Sequence, residues 1–302
     1  MKKACKVVSS YFGPRRGYPQ TTTKAISFWR SSILPVQLNV DAGVECDTII
    51  ANHDHQPICN GDTRYLDFLN SIDGLKTKNG SIKVVNRPFE DGIGGGFKSR
   101  DYAFKKYPLD YEYWFFSEDD EDSWHDGFLS KSIDYLERNL DVAFVCCQFN
   151  QVARYKDRPA HCHGAIGCTT SELIQKVISK HGSLPYGEVD LINSSISESA
   201  SRVGSFYQSF CDAEVDFTYP FLEMGYSLGY LKECVYDFNN PDFNNNNVSI
   251  GKIFRKWVRK INWPCAKHGP KIDERDHDKP YTEQFPNDYD KYSLKKGFYK
   301  DA

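Results

Sequence analysis

The sequence predicts an α/β fold, a mainly parallel sheet flanked by helices, with a C-terminal helical extension. Three observations carry this. Short apolar runs alternate with segments of helical spacing through the first 150 residues, the pattern that builds parallel sheets. The chain has 302 residues, 40% of them hydrophobic, which suits one large domain or one domain with a substantial appendage. Finally, the acids Glu118, Asp119, Asp120, Glu121 and Asp122 directly follow the apolar run at 111–117, and ligands of such sheets sit at the carboxyl ends of strands.

Taken in order, residues 6–12 read as the first strand and 13–20 as a loop. Residues 21–34 read as a helix with threonines available as caps. A second strand is expected at 46–54, and a helix at 62–73 from the spacing of Tyr65, Leu66, Leu69 and Ile72. Strands at 81–86 and 111–117 bracket a helix at 95–107 that glycines open. A helix at 128–139 and a strand at 142–149 complete the alternation. Beyond it, 164–182 reads as a strand or turn and then a helix. Residues 211–231 begin acidic and form a helix ending near Gly225, and 232–238 read as a strand.

Residues 239–247 are a polar linker. Ile250, Ile253, Phe254, Trp257, Val258 and Ile261 then recur at helical spacing, with Lys252, Arg255, Lys256, Arg259 and Lys260 on the other face. This is a basic amphipathic helix over 250–261, with a polar tail behind it. Two readings stand: peripheral contact with an anionic membrane, or packing of the apolar face on the main domain.

The net charge of −3 provides no overall field for nucleic acid. Ten cysteines are scattered without a CxxC pair, which speaks against a zinc ribbon and for a reduced, cytoplasmic setting. No stretch of 18 apolar residues is present, and the N-terminus has too short an apolar run for a signal peptide.

The acid cluster suits a hard divalent cation, Mn²⁺ or Mg²⁺, which prefers carboxylate oxygens and commonly also takes oxygens from a phosphate. Glu118 and Asp120, two residues apart, can converge on one ion; the alternative is a solvated acidic loop. Asn52 and Asp54 follow the second strand and either bind a base or cap a turn. Tyr11 either stacks on a base or packs at the strand end, and Arg87, Lys98 and Arg100 are candidates for phosphate oxygens. Glycines 92 and 94–96 permit close backbone approach or form a flexible loop. His161 and His163 lack a third zinc ligand and read as turn or acceptor-side residues.

The order of pieces over 87–136 resembles the nucleotide-sugar-binding half of GT-A fold glycosyltransferases, especially the family 2 type. Gly92, Gly94, Gly95 and Gly96 match that family's loop, Arg100 its helix arginine, and Glu118-Asp119-Asp120 its DxD motif, with Glu in place of the first Asp. Residues 213–237 resemble its acidic helix leading into Gly-Tyr and a strand. The resemblance covers roughly 5–238 and implies a Rossmann-like GT-A domain over 1–238. Its 1–150 half would bind the nucleotide sugar, its 151–238 half the acceptor, and 239–302 would be the appendage.

By the same resemblance, Asp120 ligates the metal, with Glu118 on the metal or the ribose. Asp237 stands where many relatives carry a metal- or diphosphate-binding His, and Glu214 stands at the catalytic carboxylate, with Asp216 and the acids at 187–190 as rivals. Tyr11, Asn52, Asp54, Arg87, Gly95, Arg100 and Asp119 would surround the donor. The implied activity is metal-dependent, inverting transfer of a sugar, from a UDP-sugar by preference, to a glycan, glycoprotein or lipid-linked acceptor. The metal stabilises the departing diphosphate and a carboxylate takes the acceptor proton. Two rivals are a sugar nucleotidyltransferase, although Gly13, Arg15 and Arg16 lack its compact signature, and a non-catalytic carbohydrate-binding protein of the same fold.

Overall fold

A computed structural model of the chain describes residues 3–10, 22–53, 61–88, 95–119, 126–146, 149–150, 161–162, 165–185, 217–218 and 220–231. Among the described residues, nine strands run in the order β1 (Ala4–Ser9), β2 (Cys46–His53), β3 (Ile82–Arg87), β4 (Tyr113–Glu118), β5 (Val142–Cys146), β6 (Phe149–Asn150), β7 (His161–Cys162), β8 (Gly167–Thr170) and β9 (Ser227–Tyr230). The helices between them are α1 (Thr22–Phe28), α2 (Leu34–Asn39), α3 (Arg64–Ser71), α4 (Gly95–Lys106), α5 (Phe128–Arg138) and α6 (Ser171–His181). A π-helical turn, Trp29–Ile33, joins α1 to α2.

Seven strands form one sheet in the order β3-β2-β1-β4-β8-β5-β9. All pairs are parallel except those of β8, which runs against both β4 and β5. This is the mainly parallel α/β sheet that the alternation predicts. β8 and β9, from the second half of the sequence, belong to the same sheet as β1–β5. β1, β4 and β5 are buried along nearly their whole length, so their sequences are nearly continuous apolar runs rather than alternating ones. In β4 the run Tyr113–Ser117 is buried throughout.

One face carries α4 and α6. Phe97, Phe104, Leu173, Ile174 and Val177 pack there on Val7, Ile49, Trp114, Phe116 and Phe144. The other face is covered by α5 over Phe115 and Val145, and by α1 and α3 over Val8 and Ile50. Phe115 and Phe128 meet edge to face at 4.8 Å. Among the described residues, no helix is long and apolar enough to cross a membrane.

Two elements differ from expectation. The first helix does not stop near residue 34. It passes through the π turn and restarts with Pro35 in the first turn of α2, where a missing N–H costs nothing. The strand that runs parallel to β5 is Ser227–Tyr230, ahead of the one expected at 232–238, which lies outside the described residues. Within the expected 211–225 helix, Phe217, Thr218 and residues 220–223 are helical, and Gly225 closes the segment with φ +87°.

β8 needs its glycine. A Cβ on Gly167 would lie 2.1 Å from the Val145 carbonyl oxygen and 2.6 Å from Phe144 Cε1. The carbonyl belongs to the paired strand and cannot swing aside. Gly167→Ala is therefore expected to destabilise by about 3 kcal/mol, the upper end of ordinary overpacking, read as a lowered urea midpoint. An unchanged midpoint would mean that β8 shifts without cost.

At the amino edge of the sheet lies a polar network. Asp47 accepts hydrogen bonds from the Ser81 N–H (2.9 Å) and from the hydroxyls of Ser81 (3.0 Å) and Tyr111 (2.9 Å). Lys83 Nζ lies 3.2 Å from the same carboxylate and donates to Tyr111 at 2.6 Å. Burial works to raise the Asp47 pKa, but the bonds from Tyr111, Lys83 and Ser81 outweigh it and hold the pKa below the usual carboxylate range. The network braces strand starts at the edge opposite to where ligands bind in such sheets, so we read it as structural.

Candidate functional site

β1, β2, β3 and β4 are parallel and end at one edge. Their last residues fall in register: Ser9 lies opposite Ala51 and Glu118, and Asn52 and His53 lie opposite Asn86 and Arg87. The Asp119 N–H continues the ladder to the Ser9 carbonyl at 3.1 Å. Apolar strands deliver these residues here because their hydrophobic runs end at the edge.

The glycines at 95 and 96 open α4 against this edge. Ser9 Oγ donates to the Gly96 carbonyl at 3.0 Å. A Cβ on Gly96 would come within 3.0 Å of Ser9 Cβ and 3.6 Å of Glu118 Oε1. Of the two sequence readings, Gly96 thus takes that of close backbone approach. The first turn of α4, the positive end of the helix dipole, sits beside Ser9 and Glu118.

Further along α4, Arg100 is fully buried. Its Nη2 lies 3.5 Å from Glu118 Oε1, and its Nη1 donates to the Ala165 carbonyl at 3.1 Å. Next to it, Ser99 Oγ accepts from Arg87 Nε at 3.4 Å, and Arg87 is also buried. Asn52 Nδ2 donates to Asn86 Oδ1 at 3.1 Å, and Asn86 Nδ2 in turn donates to Asn70 Oδ1 at 3.0 Å. Asn52 Oδ1 is buried and has no hydrogen-bond partner among the described residues. An orphaned buried acceptor is costly and is suited to a ligand N–H. The Asp119 carboxylate is buried at the end of β4, whereas Glu118 is partly open.

Six of the expected site residues therefore meet at one edge: Asn52, Arg87, Gly95, Arg100, Glu118 and Asp119. Tyr11, Asp54, Asp120, Glu214 and Asp237 lie outside the described residues, as do His163 and the segment 250–261 expected to be a basic helix. Ser99, Asn86 and the Ala165 carbonyl belong to the cluster without having been singled out by the sequence. The motif signal reached Arg100 but not the backbone oxygen it binds.

The donors for a cation are of the right chemistry, since carboxylate oxygens suit Mg²⁺ and Mn²⁺. Among the described residues, however, no three acidic, His or Cys side chains group to hold a metal. Of the two carboxylates expected to share the ion, Glu118 is described and Asp120 is not. The described cysteines, Cys5, Cys46, Cys146, Cys162 and Cys168, are buried free thiols.

A groove of about 790 Å³ opens between α1 and α3, lined by Thr23, Ile26, Ser27, Arg30, Arg64, Asp67, Phe68 and Ser71. It lies in the layer opposite α4 and includes none of the strand-end residues.

No family model matches the chain, and no curated protein matches it by sequence. Solved structures resemble it distantly. One is the 4-diphosphocytidyl-2C-methyl-D-erythritol synthase of Anaerococcus prevotii, at 10% identity and TM-score 0.38, covering 84% of this chain and 99% of that one. A cytidylyltransferase of Leptospira borgpetersenii stands at 12% and 0.37, covering 91% and 100%. A CMP:2-keto-3-deoxy-manno-octonic acid synthetase complexed with CTP stands at 11% and 0.40, covering 86% and 100%. Likeness at this level decides neither activity nor substrate, and the fold assignment rests on the strand order and pairing above.

Proposed function

We propose that the chain is a metal-dependent glycosyltransferase that binds a nucleotide-sugar donor at the carboxyl edge of β1–β4. One observation carries the reading: the glycine-opened turn of α4 lies against Ser9 and Glu118, in contact with the strand ends where the DxD-like acids begin. Asn52 Oδ1 would accept a hydrogen bond from the base. Arg87 would add positive charge beside the diphosphate. Glu118 and Asp120, with Asp237, would hold Mn²⁺ or Mg²⁺, and when bound the ion supplies Lewis-acid stabilisation of the departing diphosphate. Glu214 would take the proton from the acceptor hydroxyl. UDP is the favoured carrier, and the acceptor is a glycan, glycoprotein or lipid-linked sugar.

A second reading, a sugar nucleotidyltransferase, uses the same edge. It would set Gly13, Arg15 and Arg16, which follow β1 without that activity's compact signature, at a triphosphate. It is also the kind of activity named for the similar structures, although their scores lend it no weight.

Calorimetry with UDP, GDP and CTP, with and without Mn²⁺, tests both. The expected result is tight binding of one nucleoside diphosphate that needs Mn²⁺. Asp120→Ala should weaken it about 100-fold, equivalent to about 3 kcal/mol. Consumption of CTP and a sugar phosphate with release of pyrophosphate would establish the second reading instead. Flat traces for every nucleotide would leave a carbohydrate-binding protein that has the fold without the chemistry.

A further inference from the structure

Arg100 is enclosed more elaborately than a phosphate-binding arginine needs. Its guanidinium carbon lies 4.6 Å from the ring centre of Phe97, 5.4 Å from that of Phe217 and 5.7 Å from that of Phe116. These rings come from α4, from the helical residues ahead of β9, and from β4. They also pack on one another, Phe97 on Phe217 at 5.6 Å and Phe116 on Phe217 at 5.2 Å. A planar cation between aromatic faces keeps favourable electrostatics while losing water.

The two amino ends of the fork face different parts of the chain. Nη2 faces Glu118 on the nucleotide edge. Nη1 binds the carbonyl of Ala165, immediately ahead of β8. Ala165 is itself held at φ +47°, a backbone region that a residue with a Cβ rarely adopts, so its carbonyl is presented at a local cost. Burying an arginine is also expensive, and an apolar side chain would fill the same space more cheaply. A fork that joins one carboxylate to one distant carbonyl gives that expense a purpose.

We propose that Arg100 is a positioning residue. It fixes the Glu118 carboxylate at the nucleotide edge and ties it to the second half of the chain through Ala165 and Phe217. The inference rests on the nucleotide-binding reading above and adds to it the residue that sets the two halves of the site together.

A double-mutant cycle tests it, with the Kd of the wild-type nucleotide in Mn²⁺ as readout. Arg100→Lys keeps the charge but removes the fork that serves Glu118 and Ala165 at once. Glu118→Gln keeps the shape and removes the charge. Each is expected to weaken binding about tenfold, and the double variant no more than the weaker single, because Arg100 acts through Glu118. Phe217→Leu, which opens the ring clamp, should cost about threefold and add nothing in the Glu118→Gln background. A merely structural arginine would lower the melting temperature without producing this non-additivity. Losses that multiply to about 100-fold in the double variant would overturn the positioning role, as would Arg100→Lys binding like wild type. If Arg100→Lys does not fold, the Phe217→Leu and Glu118→Gln cycle decides on the same criterion. A wild-type chain that binds no nucleotide overturns the functional reading and this proposal with it, whereas multiplying losses in a chain that does bind overturn this proposal alone.

Discussion

Trp114→Ala is expected to cost about 4 kcal/mol of folding stability, within the range for truncating a buried large aromatic. Trp114 is fully buried in the middle of the sheet. Its ring meets Phe104 of α4 at 4.9 Å, Tyr111 edge-on at 5.5 Å and Phe116 at 6.4 Å. Its indole N–H donates to Ser171 Oγ at 2.8 Å. The Ser171 hydroxyl donates to the Tyr111 carbonyl, and its N–H donates to the Glu112 carbonyl at 2.9 Å. One side chain thus joins β4, α4 and the start of α6. Truncation removes the ring contacts, leaves a cavity that β4 cannot close, and strips Ser171 of a partner. Against a total stability of about 5–15 kcal/mol, that is a large fraction. Urea unfolding should show a lower midpoint at unchanged slope. Trp114→Phe retains part of the packing and isolates the hydrogen bond, and should cost about 1–2 kcal/mol. A loss under 1 kcal/mol for the alanine variant would show that the sheet does not depend on this junction.

The importance of β4 was legible in the sequence, since the four aromatic residues Tyr113–Phe116 leading into acids can hardly be anything but a buried strand ending at a site. The alternation through Cys146 was legible for the same reason: parallel strands are apolar on both faces and stand out as runs. β9 was not. Gly229 sits mid-strand because a Cβ there would lie 2.4 Å from Tyr135 Cε1, and a glycine in a run reads as a turn. β8 was ambiguous through Gly167 for the same physical reason. The π turn at Trp29–Ile33 changes neither composition nor spacing enough to show in the sequence. At the site, strand-end position pointed to Asn52 and Glu118, and charge to Arg87. The clamp on Arg100 could not be read, because Phe97, Phe116, Ala165 and Phe217 converge only through the sheet order and the placement of α4.

Lys6→Met is expected to stabilise the fold by about 1–3 kcal/mol at pH 7. Lys6 lies in mid-strand β1, is 3% exposed, and occupies a position opposite Thr48 and Phe115. Burial lowers its pKa from 10.5 to about 8, with the Cys46 side chain pulling slightly the other way. A depression of that size corresponds to a penalty of about 3 kcal/mol on the charged form. The sign follows from linkage. Below pH 8 the amine is charged in both states, and the folded state bears the whole penalty. As pH rises from about 8 to 10.5, the folded state has released its proton while the unfolded chain still holds one, so the penalty is relieved.

Methionine keeps the length and the apolar stem without the charge. It gives up only the contact of Nζ with the Phe128 ring, at 5.6 Å, which offsets the gain by about 1–2 kcal/mol. Other groups titrate nearby. Burial pushes the Cys46 thiol up to about 12 and raises Cys5 as well, so both lower stability at high pH. For that reason the diagnostic is the difference between variant and wild type rather than either curve alone. The advantage of Lys6→Met should be greatest below pH 8 and shrink toward pH 10.5. A pH-independent difference would assign the gain to packing, and a destabilised variant would show that the buried ammonium has a partner worth more than its desolvation costs.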